Sequence, residues 1–63
     1  MTPKESKQEL AALIQDVKSV RKNIARTVDS GAVSSMAENY LISADEKLAD
    51  ALTNLEFAFH LTR

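Results

Sequence analysis

The chain has no cysteine and no tryptophan, and only one glycine, one proline and one histidine in 63 residues. Without cysteine there is no disulfide and no thiolate metal site, and such a chain suits a reducing compartment. The single histidine, His60, leaves no histidine pair to ligate a metal, so neither metal nor cofactor is expected. The two residues that interrupt regular structure most strongly occur once each, at Pro3 and Gly31. No apolar run is long enough to span a membrane. The opening Met-Thr-Pro-Lys-Glu-Ser-Lys lacks the apolar core of a signal peptide. Eight basic and nine acidic residues leave a net charge of −1, which argues against a protein that coats nucleic acid by bulk charge. The expectation is a cytoplasmic protein of one domain. A chain this short rarely buries enough apolar surface to be stable alone, and with disulfide and metal excluded, self-association is the remaining support.

What is present is helical. Ala, Leu, Lys, Glu and Ser dominate, and no strand-like alternation competes. Thr2 can cap a first helix, Pro3 suits its first position, and Glu5 stands where a capping-box carboxylate belongs. Leu10, Leu13, Ile14, Val17, Val20, Ile24 and Val28 then recur on one apolar face, with Gln8, Gln15, Lys22 and Asp29 opposite. Gly31 can adopt the left-handed conformation that ends helices. The first helix is therefore placed at about 3–29 and a turn at about 30–35.

Ser35 with Glu38 makes a second capping box, so the second helix is placed at about 36–62. Leu41, Ala44, Leu48, Ala51, Leu55 and Ala58 follow alternating spacings of three and four, which puts Leu and Ala in alternation along one stripe. The small residues would let a neighbouring helix approach closely, so Ala51 is expected in a tight seam. Asn39, Glu46, Thr53 and His60 form the polar edge. Ser43-Ala-Asp-Glu46 is a further start signal that could break this helix; the stripe runs through it, which favours continuity.

The fold class read from this pattern is all-α: an antiparallel helical hairpin assembling into a homo-oligomeric bundle. Apolar residues beyond the main stripe, namely Ile42, Ala49 and Phe57 on one flank and Leu52 and Phe59 on the other, are the expected oligomer interface.

Lys18, Arg21, Lys22 and Arg26 are half of the chain's basic residues and have no acid between Asp16 and Asp29. Lys18, Lys22 and Arg26, four apart, share one helix face. Such a row can hold phosphates by charge and, through Arg, by paired hydrogen bonds. The same charges also suit the negative end of a helix dipole, or pairing with Glu38, Asp45 or Glu46 on the second helix. Tyr40 could stack on a base, although aromatics at helical spacing more often serve packing. Glu56 and His60 could pair, but there is no accompanying nucleophile, Gly-rich phosphate loop or metal-spaced carboxylate cluster. No enzyme is expected.

The stretch Ala51-Leu-Thr-Asn-Leu-Glu-Phe-Ala-Phe59 resembles the last helix of small phage helical hairpins, the sponge proteins that counter CBASS and Thoeris defences by sequestering cyclic-nucleotide signals. That family's pattern runs approximately Leu-Ala-hydrophobic-Thr-Lys-Leu-Glu-Glu-Ala, followed by an apolar-aromatic pair. Ala51, Leu52, Thr53, Leu55, Glu56 and Ala58 match it. Asn54 replaces a Lys and Phe57 a Glu, Leu61 stands near the place of the aromatic, and Arg63 matches a terminal basic residue. The resemblance implies a homo-oligomer that holds its ligand in pockets between protomers. The candidate ligand residues are then Lys18, Arg21, Lys22, Arg26 and Arg63 for phosphate, Tyr40 for stacking, and Asn39, Thr53 and Asn54 for base edges. The first reading is accordingly a sponge for a cyclic di- or trinucleotide. The alternative is a Rop-like dimeric hairpin, a small regulatory protein that binds RNA or a protein partner.

Overall fold

The computed structural model describes residues 2–62, and within them the chain forms two helices and no strand. Arg63 lies outside the described residues. Helix α1 spans Pro3–Asp29 and helix α2 spans Ser35–Leu61. They pack against each other as a hairpin 46 Å long. No helix among the described residues is long and apolar enough to cross a membrane.

The helix ends follow local chemistry. Thr2 Oγ1 accepts from the Glu5 backbone N–H at 3.2 Å, and Glu5 Oε2 accepts from the Thr2 N–H at 3.3 Å, a reciprocal cap that satisfies two amides otherwise lacking partners. At the other end the Ser30 N–H donates to the Arg26 carbonyl at 3.0 Å, and the Gly31 N–H to the Val28 carbonyl at 3.2 Å. Gly31 then turns the chain with φ +69°, where an L side chain is strained.

The second cap lies one residue earlier than the sequence suggests. Ser34, in extended conformation, accepts from the Ala37 N–H at 3.2 Å through its hydroxyl, so Ser35 is already helical. Both serines are good caps, and the chain leaves the extended region at the first of them. No break occurs near Ser43: α2 is one helix throughout.

The hairpin seam is narrow. Among the described residues Ile14 and Leu52 are its only buried side chains, at 8% and 9% exposure, and none is fully enclosed. Leu10, Val17, Ile24 and Val28 of α1, and Leu41, Leu48 and Leu55 of α2, are half-buried around them. Ala51 is exposed, contrary to its expected place in a tight seam. Helix α2 is rotated so that Leu52 rather than Ala51 is buried against α1, while Ala44, Ala58 and Phe59 are half-buried. A larger side chain at the contact removes more apolar area from water than alanine can. Leu52, expected at the oligomer interface, is therefore part of the hairpin's own seam. The half-buried Phe59 joins it there, its ring covered by Lys7 Nζ at 4.6 Å from the centroid. Of the other expected interface residues, Ile42 and Phe57 are exposed, and Ala49 is half-buried.

Candidate functional site

The basic residues of α1 divide into one that is engaged and three that are not. Arg21 reaches across the seam: its Nε donates to Asp45 Oδ1 at 2.9 Å and its Nη2 to Oδ2 at 3.4 Å. This hydrogen bond is the main cause holding the Asp45 carboxyl below its ordinary pKa; partial burial opposes it and the guanidinium charge adds to it. Arg21 is raised in return, chiefly by the same bond. The candidate ligand residue Arg21 is thus already committed to a carboxylate. Lys18, Lys22 and Arg26 are exposed and form no ion pair among the described residues. Spaced by four, they run along α1 for roughly 12 Å.

The other candidate residues lie elsewhere. Tyr40 is 74% exposed and borders a shallow depression on α2 with Met36, Asn39 and Ser43. Thr53 turns its hydroxyl inward to its own helix, donating to the Ala49 carbonyl at 3.1 Å. Asn54 is exposed. An open cleft of about 350 Å³ lies near the turn end, lined by Ile24, Ala25, Val28 and Ile42 with three carboxylates, Asp29, Asp45 and Glu46. Neither hollow has any of the four basic residues in its lining. A single hairpin therefore does not bring Tyr40 and the basic row to one pocket.

Sequence reasoning did not find this cleft or the Lys7–Phe59 contact. Both depend on the stagger of α1 against α2, which no local pattern states. Charge alone offered Glu38, Asp45 and Glu46 as partners for the basic cluster, and the structure pairs Arg21 with Asp45. His60 stands edge-on to Phe59, with ring centroids 5.6 Å apart, and makes no hydrogen bond to Glu56 among the described residues. No group of three His, Cys, Asp or Glu among them could hold a metal ion. No protein family, curated protein or solved structure matches this chain.

Proposed function

We propose that the chain is a non-enzymatic binding protein that acts as a homo-oligomer and takes a phosphate-bearing ligand on the basic row of α1. The observation that carries this reading is the division among the cations. Arg21 is neutralised by Asp45, whereas Lys18, Lys22 and Arg26 stand exposed on one helix with no acidic partner among the described residues. Unpaired cations in a row offer charge-assisted bonds to phosphate oxygens.

The resemblance of Ala51–Phe59 to phage sponge proteins supports a cyclic di- or trinucleotide as the ligand, sequestered unchanged in the cytoplasm. In this reading the basic row of α1 takes the phosphates, and Tyr40, Asn39 and Asn54, which a single hairpin keeps apart from that row, are the candidates for contacts to the bases. Thr53 would have to give up its bond to Ala49 to read a base edge.

The alternative is a Rop-like dimer that regulates by binding RNA or a protein. A specific feature favours it: the basic row is an open strip rather than the wall of a pocket, and a strip suits an extended polyanion. A thermal-shift series with cyclic di- and trinucleotides, ADP-ribose isomers and a short RNA hairpin separates the two. A ligand that binds only the folded state raises the melting temperature. A rise with a cyclic nucleotide supports the sponge, and a rise with RNA alone supports the regulator. No rise with any of these, confirmed by calorimetry at micromolar concentration, would overturn the phosphate-ligand reading.

A further inference from the structure

The hairpin has two broad sides, and they differ in charge. Leu13 and Val20 precede the seam positions Ile14 and Arg21 of α1; Ala44 and Ala51 precede Asp45 and Leu52 of α2. In two helices that face each other and run oppositely, the same rotational offset leads to the same side. The residues that follow seam positions go to the other side, where Ala25 and Ile42 line one cleft. Continued at seven-residue intervals, the first side carries Ser6, Leu13, Val20 and Thr27 of α1 and Ala37, Ala44, Ala51 and Ala58 of α2. It holds no charged residue. The second side carries Lys18 and Glu56 at the equivalent positions. Leu13 and Val20 are nevertheless 48% and 47% exposed.

We propose that the uncharged side is covered by a second copy of the same hairpin, forming a four-helix bundle in which α1 of each protomer lies over α2 of the other. The proposal rests on the self-association in the functional reading above and assigns it a surface. Three observations support a copy as the occupant. The first is area. The chain exposes 4882 Å², whereas a folded monomer of its 6.9 kDa exposes about 4,000 Å². The surplus, roughly 900 Å², is close to the ~800 Å² that each partner contributes to a standard interface. The second is shape. Lys7 opposite Phe59 and Arg21 opposite Asp45 define the stagger of the hairpin. On that stagger Leu13 lies within two residues, roughly 3 Å, of the level of Ala51, and Val20 the same distance from Ala44. A two-fold axis along the bundle keeps levels unchanged, so the large residues of α1 enter the hollows over the alanines of the partner's α2. The third is charge. Asp16 borders this side on α1 and Lys47 borders it on α2, at levels about 4.5 Å apart. The same axis brings each Asp16 to the other protomer's Lys47.

Sedimentation equilibrium on the full chain tests this. The wild type should weigh about 14 kDa, twice 6.9 kDa. Ala51→Glu keeps a good helix former at a position exposed in the single hairpin, so an isolated hairpin would tolerate it. In the proposed bundle it buries a charge and should weaken association at least tenfold. Asp16→Lys should weaken association by like charge at the rim, and Asp16→Lys combined with Lys47→Asp should restore it, which a merely unfolded variant cannot do. Phe57→Ser, on the outer side of α2, should leave the dimer intact. A helical 7 kDa wild type at 100 µM, wild-type association by Ala51→Glu, failure of the swap to restore association, or dissociation by Phe57→Ser would each overturn the proposal. A dimer with these responses that binds no nucleotide or RNA would overturn the phosphate-ligand reading and leave this one standing.

Discussion

Arg21 and Asp45 face each other across the hairpin as a two-bond pair, Nε to Oδ1 at 2.9 Å and Nη2 to Oδ2 at 3.4 Å, at a level where the rest of the seam is apolar. These two are the only side-chain hydrogen bonds between α1 and α2 among the described residues. An apolar seam with heptad spacing tolerates sliding by a heptad; a planar guanidinium held to one carboxylate does not. Together with the short turn between Asp29 and Ser35, the pair holds the stagger on which Lys7 meets Phe59.

Acid should expose this role. Asp45 has a folded-state pKa below its unfolded value of about 3.9. Its contribution is present above about pH 4 and is lost as the pH falls through the lower folded value. The melting temperature of the wild type should therefore fall more steeply between about pH 4 and pH 2 than that of Asp45→Asn, which has no carboxylate to protonate. Circular-dichroism melts across that range decide it: equal slopes would mean that the bond is not made in solution.

Leu52→Ala removes one of the two buried side chains among the described residues. Large-to-small changes in a core cost about 2–5 kcal/mol, and a single core in a chain of this size rarely supplies more than about 3–5 kcal/mol. The variant should be largely unfolded at 25 °C. Leu61→Ala removes a similar volume from a residue 85% exposed and should cost less than about 0.5 kcal/mol. Urea titrations of both variants provide the comparison.

The start of α2 offers a paired test. Ser34→Ala removes the hydroxyl that accepts from the Ala37 N–H and should cost about 1 kcal/mol. Ser35→Ala, one position inside the helix, should be neutral or slightly stabilising because alanine is the better helix former. The reverse order would move the helix start to the site suggested by the Ser35–Glu38 spacing.

Gly31→Ala isolates backbone strain. A methyl group there would meet nothing within 4 Å, yet φ is +69°. The cost, about 1–2 kcal/mol, should come from conformation alone. Gly31→Asn should cost less, since Asn tolerates this region better. Denaturant unfolding that left Gly31→Ala at wild-type stability would show that the turn adopts another conformation.

These contrasts show how far the residues themselves disclose the architecture. Thr2, Pro3, Glu5 and Gly31 act locally, within one turn of chain, and their positions alone delimit α1. The rotation of α2 is different. Leu41, Ala44, Leu48, Ala51, Leu52, Leu55, Ala58 and Phe59 cover an apolar arc wider than one partner helix can bury, so periodicity locates the arc and not its centre. The centre is decided across the seam, by Arg21 drawing in Asp45 and by Leu52 filling more space than Ala51. The candidate site was legible only as residue types. The spacing of Lys18, Lys22 and Arg26 places them on one face of α1, but their separation from Tyr40 depends on how two helices are set against each other.

Lys22→Ala and Arg26→Ala remove charges that are exposed and unpaired among the described residues. Exposed charges of this kind contribute only ~0–1 kcal/mol, so helicity and oligomer size should be nearly unchanged. Under the sponge reading, calorimetric binding of a cyclic nucleotide should weaken strongly, because each variant deletes charge-assisted bonds to phosphate. The nucleotide should be recovered unaltered after heat denaturation, since the proposal includes no catalytic step. Under the RNA reading the same variants should reduce the slope of log affinity against log salt by nearly one for each charge removed. Binding that survives both substitutions at wild-type affinity would remove the row from the site, leaving the ligand to be held by residues of another face.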